Sequence, residues 1–347
     1  MLAYFLKRLL LVVPTLLGIT LVCFALTQFI PGGPVEQQLL AMRGLSGDAT
    51  GGAGGGAQGP STVTAHIRQD LIRYYGFDLP LHTRYKRWLI NNRFGLTMPS
   101  YQFTDKTAWQ LIAARIPVSL WFGITGFLLS YLICIPLGIA KALRHGTRFD
   151  MASSVVVFVG YAIPAFALGM ILKMLLSGTV DSLWDIFPLG GIASEGAAML
   201  SPLAQFRDRL WHMFLPVACY VAGNFAVLTL LMKNSLLDQM SSDYVRTVLA
   251  KGATRKRAVW RHALRNALIP IATGFGGILT VMFAGSVIIE KVFEIPGMGL
   301  LSLEAIETRD YPVFMAILAL TSMLGLLGQI LSDLCYVLID PRIRFTK

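Results

Sequence analysis

The fold is decided by a stretch at residues 9–30 that reads LLLVVPTLLGITLVCFALTQFI. It contains no charged residue, and a helix of about 20 apolar residues spans the hydrocarbon core of a bilayer. Lys7 and Arg8 precede the stretch, as basic residues precede a signal peptide. The stretch is longer than a signal core, however, and ends in Pro-Gly-Gly-Pro at 31–34 without a small-x-small cleavage pattern. We therefore expect a retained membrane-spanning helix.

Five further apolar stretches of comparable length follow, at about 117–140, 151–176, 212–236, 269–289 and 313–339. The whole chain of 347 residues is 55% hydrophobic and 14% charged, whereas a soluble domain has about 25% charged residues. This composition excludes a soluble globular protein, and the high hydrophobicity excludes a disordered chain. The sequence thus predicts an all-α integral membrane protein with about six transmembrane helices.

The distribution of charge predicts the orientation of these helices. The N-terminus and the segments 141–150, 233–268 and 340–347 together carry 16 Lys and Arg but 4 acidic residues. The short segments 177–211 and 290–312 carry 4 basic and 9 acidic residues. Because basic residues concentrate in cytoplasmic loops, we expect a multi-pass membrane protein with both termini in the cytoplasm. The net charge of +11 then reflects orientation and contact with anionic lipid, and no nucleic-acid partner is expected.

The chain divides by composition into an N-terminal helix (1–30), a periplasmic insertion (31–116), a core of five transmembrane helices (117–340) and a cytoplasmic tail (341–347). The insertion contains a glycine-rich linker at 51–60, and the recurrence of Val63, Ile67 and Leu71 then predicts an amphipathic helix. A second short helix is expected to hold Tyr85 and Trp88. Two interpretations remain open for this region, a cap on the membrane surface and a docking surface for an extracytoplasmic partner.

No catalytic or metal-binding pattern occurs in the sequence. The four cysteines all lie in apolar stretches, and the five histidines are scattered without the spacing of metal ligands. There is no Gly-x-x-x-x-Gly-Lys-Ser/Thr phosphate loop, no His-Glu-x-x-His and no Gly-x-Ser-x-Gly. We therefore expect no catalytic residue, no metal and no cofactor bound by this chain, and any energy source must lie in a partner.

Few polar groups interrupt the apolar stretches. Lys173 is expected to extend to the membrane interface, and Asp333 is expected to pair with a nearby cytoplasmic arginine. Pro164 is expected to kink its helix. An ion-driven carrier usually has buried carboxylates or histidine relays, so this scarcity argues against one.

The segment 233–268 is the most informative part of the chain. Ser242 can cap a helix at 243–251, Gly252 stands where a helix often ends in a left-handed residue, and Thr254 can cap a second helix at 255–268. Val245, Val248 and Leu249 would form an apolar strip, which on a soluble surface needs a partner groove. The surrounding basic residues also have a simpler interpretation, contact with anionic lipid.

This segment resembles the coupling loop of ABC importer permeases, and in particular the dipeptide/oligopeptide branch. The resemblance rests on Asp-Tyr-Val-Arg-Thr at 243–247, Lys-Gly at 251–252 and Arg-His-Ala-Leu-Arg-Asn-Ala-Leu-Ile-Pro at 261–270, with further matches at 75–81, 135–139, 163–166, 296–299, 309–312 and 340–342. The glycine-rich insertion and residues 160–166 are similar to the Yej-type permeases of microcin C and oligopeptide uptake. Two departures from the general permease family, Arg-Thr-Val at 246–248 in place of Glu-Ala-Ala and Arg265 in place of a proline, are common in the peptide branch.

The resemblance implies a type I ABC importer permease fold in the bacterial inner membrane and a transport subunit that is not itself an enzyme. It implies a second homologous permease subunit, one or more ABC ATPase subunits that use ATP and magnesium, and a periplasmic peptide-binding protein. The implied ATPase-coupling residues are Asp243, Tyr244, Val245, Arg246, Val248, Leu249, Lys251, Gly252 and Ala253. The docking residues expected for the binding protein are Tyr85, Trp88, Arg309 and Asp310. An ion-driven carrier and a membrane scaffold without transport activity remain as alternatives at this point.

Overall fold

The computed structural model describes residues 2–29, 60–178, 184–274 and 286–339, together with the isolated positions 35, 36, 39, 277 and 279. Regular structure in this part of the chain is helical, with two isolated β-bridges and no strand. The prediction of an all-α membrane protein is confirmed. Most of the glycine-rich linker lies outside the described residues, as does much of the apolar stretch predicted at 269–289.

The helices run in the following order: α1 Leu2–Phe29, α2 Pro60–Tyr75, α3 Leu81–Lys86, α4 Ala108–Leu143, α5 Arg148–Ala162, α6 Ala165–Leu176, α7 Pro202–Ser241, α8 Asp243–Ala250, α9 Arg255–Ala258, α10 Leu264–Ala267, α11 Ile269–Thr273, α12 Val287–Val292, α13 Met298–Glu307 and α14 Tyr311–Ile339. Single π-helical turns extend α3 over Arg87–Asn91 and join α9 to α10 over Val259–Ala263. The helix expected at 255–268 is thus present as a helical run with one π-helical turn.

Four of the described helices, α1, α4, α7 and α14, are long and apolar enough to cross a membrane. The apolar stretch at 151–176 is bent at Pro164 as expected, but much more sharply than a simple kink, because α5 and α6 meet at an angle of 92°. Pro164 lacks an N–H and disfavours the helical conformation in the residue before it. Ile163 is accordingly extended, with ψ 117°, so that the proline ends one helix and begins the next.

The described residues form two compact units, of which the first comprises Met1–Val13, Arg115–Leu301 and Thr321–Lys347. Its α4 and α7 approach each other closely where small residues face larger ones. A Cβ on Gly138 would lie 2.6 Å from Cβ of Met232, and a Cβ on Gly126 would lie 2.7 Å from the ring of Tyr220. The absence of a side chain at these two glycines therefore lets the helices pack closely.

The second unit comprises Pro14–Ala114 and Ser302–Leu320. The amphipathic helix predicted in the insertion is present as α2, and it ends at Gly76, whose φ is +69°. Trp88 follows α3 and is buried against Met315 and Ala319, with Phe24 of α1 at the edge of the same cluster. The aromatic residues of the insertion therefore form the core of this unit together with residues of α1 and α14.

Candidate functional site

The corner between α8 and α9 has the geometry of a helix stop followed by a new helix start. Gly252 has φ +88°, its N–H donates to the carbonyl of Leu249 (2.9 Å), and the N–H of Ala253 donates to the carbonyl of Val248 (3.3 Å). These two bonds form a Schellman motif, which satisfies carbonyls left open at a helix end. The hydroxyl of Thr254 then accepts from the N–H of Arg257 at 3.3 Å and caps the next helix. The predicted glycine corner is confirmed.

The start of α8 differs from the prediction. Ser242 has the extended backbone of a capping residue, but its hydroxyl donates to the carbonyl of Gln239 at 2.6 Å and accepts nothing from α8. The preceding helix α7 ends only one residue earlier, so its last carbonyls compete for the hydroxyl. Ser242 thus serves the end of α7 rather than the start of α8.

The apolar strip expected on α8 is divided between the interior and the surface. Val245 is buried in a cluster with Met232, Leu236 and Val259, and Val248 packs against the same cluster. The expectation that Val245 faces a partner is therefore wrong, because this face of α8 packs against α7 and the helical run that begins with α9. Leu249 stays on the surface and is 40% exposed.

The apolar groups that do reach the surface of the corner are Tyr244, Leu249 and Trp260, whose exposed fractions are 37%, 40% and 52%. Trp260 was not among the residues predicted from the sequence. Its signal is the single large aromatic side chain within the basic run 255–261, next to the buried Val259. The exposed basic residues around these three are Arg246, Lys251, Arg255, Lys256, Arg257 and Arg261. An apolar centre surrounded by a charged rim is typical of a protein–protein interface. This surface carries no group placed for catalysis.

A buried ion network lies among α4, α5 and α7. It was not predicted from the sequence, where its members count only as charges of the segments expected in the cytoplasm. The Asp150 carboxylate accepts from Nζ of Lys233 at 2.7 and 2.9 Å and lies 3.1 Å from Nζ of Lys141. Lys141 is fully buried and also donates to the hydroxyls of Ser153 and Ser154, each at 2.8 Å. Lys233 belongs to α7, the helix that leads directly to the corner. The network therefore ties the base of the corner to two further helices.

The two charged residues predicted within apolar stretches are both paired. Asp333 forms an ion pair with Arg8, which confirms the expected arginine partner. Lys173 donates to the carbonyl of Val292 at 3.0 Å and to the carboxylate of Glu294 at 3.1 Å. These acceptors hold its ammonium group against another part of the chain, and the expectation that Lys173 extends to the membrane interface stays a prediction.

The residues predicted to dock a binding protein are largely interior residues of the second unit. Trp88 is buried and stacks on Tyr85, whose hydroxyl hydrogen-bonds with that of Thr20 at 2.9 Å. Asp310 is also buried, and its carboxylate accepts from the hydroxyl of Ser100. The docking assignments of Trp88 and Asp310 are therefore wrong, because neither side chain reaches the surface.

Arg309 is partly exposed and follows α13 with a left-handed φ of +54°. Its position is compatible with an outer contact, and its docking role stays a prediction. Within the described ranges, no three His, Cys, Asp or Glu side chains are grouped so that they could hold a metal ion.

Comparison with known proteins agrees with this architecture. Residues 134–345 match the family described as binding-protein-dependent transport system inner membrane component. Over 365 aligned residues the chain is 39% identical to the inner membrane ABC transporter permease protein YejB of Escherichia coli O157:H7, covering 99% of both chains. It is 36% identical to the peptidoglycan transport system permease protein YejB of Agrobacterium fabrum, over 99% of both chains.

A third relative is the oligopeptide transport system permease protein AppB of Bacillus subtilis, at 32% identity over 99% of this chain and all of that protein. The family match covers more than half of the chain, and these similarities run over its full length. The chain belongs to the binding-protein-dependent transport system inner membrane components, in the dipeptide and oligopeptide branch of the ABC importer permeases.

Proposed function

We propose that this chain is the membrane subunit through which an ABC importer carries oligopeptides, including microcin C-like peptides, into the cytoplasm. The named relatives, which include an oligopeptide permease and two YejB proteins, support a peptide substrate. ATP and magnesium are used by a separate ATPase, because the sequence contains no phosphate-binding loop of its own. A second homologous permease and a periplasmic peptide-binding protein complete the importer.

The observation that carries the proposal is the corner at 243–261, which exposes Tyr244, Leu249 and Trp260 within a basic rim. We assign this surface to the groove of the ATPase, as an amphipathic helix lies in a groove. Val245 links α8 to the packed cluster on α7. A displacement of α8 would therefore move α7 with it, so that the ATP-bound partner favours one of two states of the membrane helices.

We also propose the orientation of the chain in the membrane. Both termini and the corner lie in the cytoplasm, and the insertion lies in the periplasm. This orientation is supported by the basic residues of the corner, by the positive-inside distribution of charge and by the pairing of Asp333 with Arg8. Cysteine substitution at the exposed positions Met199 and Lys256 tests it by labelling of intact cells with a reagent that does not cross membranes. Labelling of position 256 without labelling of position 199 would contradict the orientation.

The coupling surface is tested with the variant Leu249→Ser with Trp260→Ser. Burial of each side chain in a partner is worth about 1.5–3 kcal/mol, so we expect the affinity of the ATPase subunit to fall at least tenfold and ATP-driven uptake to fall with it. The matched control is Met199→Ser, an exposed apolar residue outside the corner. Retention of the ATPase and of uptake at the level of this control would refute the assignment.

The substrate is tested by uptake into proteoliposomes that contain the complete importer and its binding protein. The panel comprises oligopeptides of increasing length, a microcin C-like peptide and peptides derived from peptidoglycan. Peptides derived from peptidoglycan are included because the Agrobacterium relative is named a peptidoglycan transport system permease protein. ATP-dependent accumulation of oligopeptides and of the microcin C-like compound is expected, and uptake of neither would refute the proposed substrate class.

A further inference from the structure

A cavity of about 220 Å³ lies within the second unit, among α1, α3, the loop 92–101 and the start of α14. Part of its wall is apolar and includes Phe24, Phe77 and Met315. The polar part of the wall includes two arginines about one turn apart, Arg84 and Arg87, together with neutral polar side chains such as Gln28 and Asn92. A cavity that combines an apolar wall with two guanidinium groups has the composition of a binding site for an anion with an apolar neighbour.

The arginines have no counter-charge in the described part of the chain. No carboxylate there forms an ion pair with Arg84 or Arg87, and the guanidinium of Arg84 instead lies 4.3 Å from the ring centroid of Phe77 and 6.0 Å from that of Phe24. Burial lowers the pKa of Arg84, as expected for a cation that has lost water without gaining an anion. The buried carboxylate of Asp310, in the same unit, already accepts hydrogen bonds from the hydroxyl of Ser100 and the N–H of Tyr101.

A third polar group of the cavity lacks a partner as well. Tyr311 lines the cavity, and its hydroxyl is buried without a hydrogen-bond partner among the described residues. A buried hydroxyl without a partner costs free energy. Its presence in one cavity with the half-buried Arg84 and the exposed Arg87 indicates an acceptor that the chain itself does not provide. A carboxylate supplies that acceptor and also fits the planar fork of a guanidinium.

We propose that this cavity binds the C-terminal carboxylate of a peptide, with Arg84 and Arg87 on the carboxylate and the last side chain against the apolar wall. The inference deepens the proposed function and rests on it, since it names the end of the peptide that the permease recognises. The volume suits one terminal residue rather than a whole oligopeptide, because sites that enclose entire ligands measure roughly 300–1,000 Å³. The site therefore binds only the C-terminal residue and makes no contact that restricts the sequence of the rest of the peptide.

The experiment uses the complete importer in lipid nanodiscs, without its binding protein, and isothermal titration calorimetry. The probes are the tripeptide Ala-Ala-Phe and the same tripeptide with a C-terminal amide. We expect the acid to bind at least tenfold more tightly than the amide. Arg84→Gln with Arg87→Gln should abolish that preference, whereas the control Lys86→Gln, an exposed lysine on the intervening position that does not line the cavity, should keep it.

Two further measurements, on a lysine variant and with inorganic phosphate, separate carboxylate recognition from a loss of folding and from general anion binding. Arg84→Lys with Arg87→Lys retains both charges and the assembly of the complex but loses the bidentate geometry, so a partial loss of the preference is expected. Inorganic phosphate at millimolar concentration distinguishes a general anion site, since displacement of acid and amide alike would contradict a carboxylate site. Equal binding of acid and amide by the unmodified importer would overturn the proposal without any variant.

Failure of the carboxylate site can be distinguished from failure of the proposed importer function. ATP-driven uptake of Ala-Ala-Phe is measured on the same preparation with the binding protein added. Uptake without a preference for the acid would overturn the carboxylate site alone, while the absence of uptake of any peptide would overturn the proposed function itself.

Discussion

Asp150→Asn is the sharpest test of how the base of the corner is held together. The substitution keeps the size of the side chain but removes the negative charge that lies 2.7 Å from Lys233 and 3.1 Å from Lys141. Lys141 is completely buried, so its ammonium group would keep the cost of its desolvation without its counter-charge. The remaining partners of Lys141 are the neutral oxygens of Ser153, Ser154 and the backbone of residue 150.

The change in the free energy of unfolding depends on the ion pairs that the substitution removes and the hydrogen bonds that it retains. Each ion pair at these distances has a Coulomb energy of about 5–6 kcal/mol at an effective dielectric constant of 20, and desolvation of the ions offsets most of it. Removing one partner of a buried pair costs about 3–5 kcal/mol. We expect a cost at the lower end of this range. The asparagine oxygen still accepts a hydrogen bond, and the site borders water, since the neighbouring His145 side chain is largely exposed. A loss of about 3 kcal/mol lowers the equilibrium constant for folding roughly 150-fold.

The assay is reversible unfolding in mixed detergent and dodecyl sulfate micelles, followed by tryptophan fluorescence. The control Asp243→Asn removes an exposed acid whose pair with Arg246 spans 3.4 Å, and it should change the free energy of unfolding by less than about 1 kcal/mol. Adding Lys141→Met to Asp150→Asn should recover part of the loss, because one unpaired buried charge disappears. A free energy of unfolding for Asp150→Asn within 1 kcal/mol of the unmodified protein would refute the reasoning.

Two further substitutions test glycines for which the structure gives a reason. Gly252→Val places a β-branched residue at φ +88°, which costs about 1–2 kcal/mol, and should reduce the stimulation of ATP hydrolysis by loaded binding protein; Gly196→Val, at φ +81° outside the corner, is the control, and equal effects of the two would contradict a coupling role. Gly297→Ala brings a Cβ to 2.5 Å from the buried carboxylate of Glu290 and should destabilise the protein by about 1–3 kcal/mol; Gly18→Ala has no atom within 4 Å of the new Cβ, and equal thermal midpoints would disprove the clash.

Local chemistry explains why the corner was predictable from sequence. The left-handed conformation of Gly252 and the capping hydroxyl of Thr254 depend on residues within five positions of each other. The same holds for α2 and for its end at Gly76. Features of this kind follow from backbone sterics and nearby hydrogen bonds, which the order of residues specifies directly.

The sequence by itself also determined the membrane class, because the length and apolarity of the helices leave no other solvent in which they are stable. Only the tertiary structure decided which apolar or charged side chains reach the surface. Val245 and Leu249 are both apolar residues of one short helix, yet one is buried and the other is not. The reason is that burial depends on which distant segment packs there. For the same reason Asp150 joined Lys233, 83 positions away, and Trp88 entered a core with Met315, contacts that no local pattern of residues encodes.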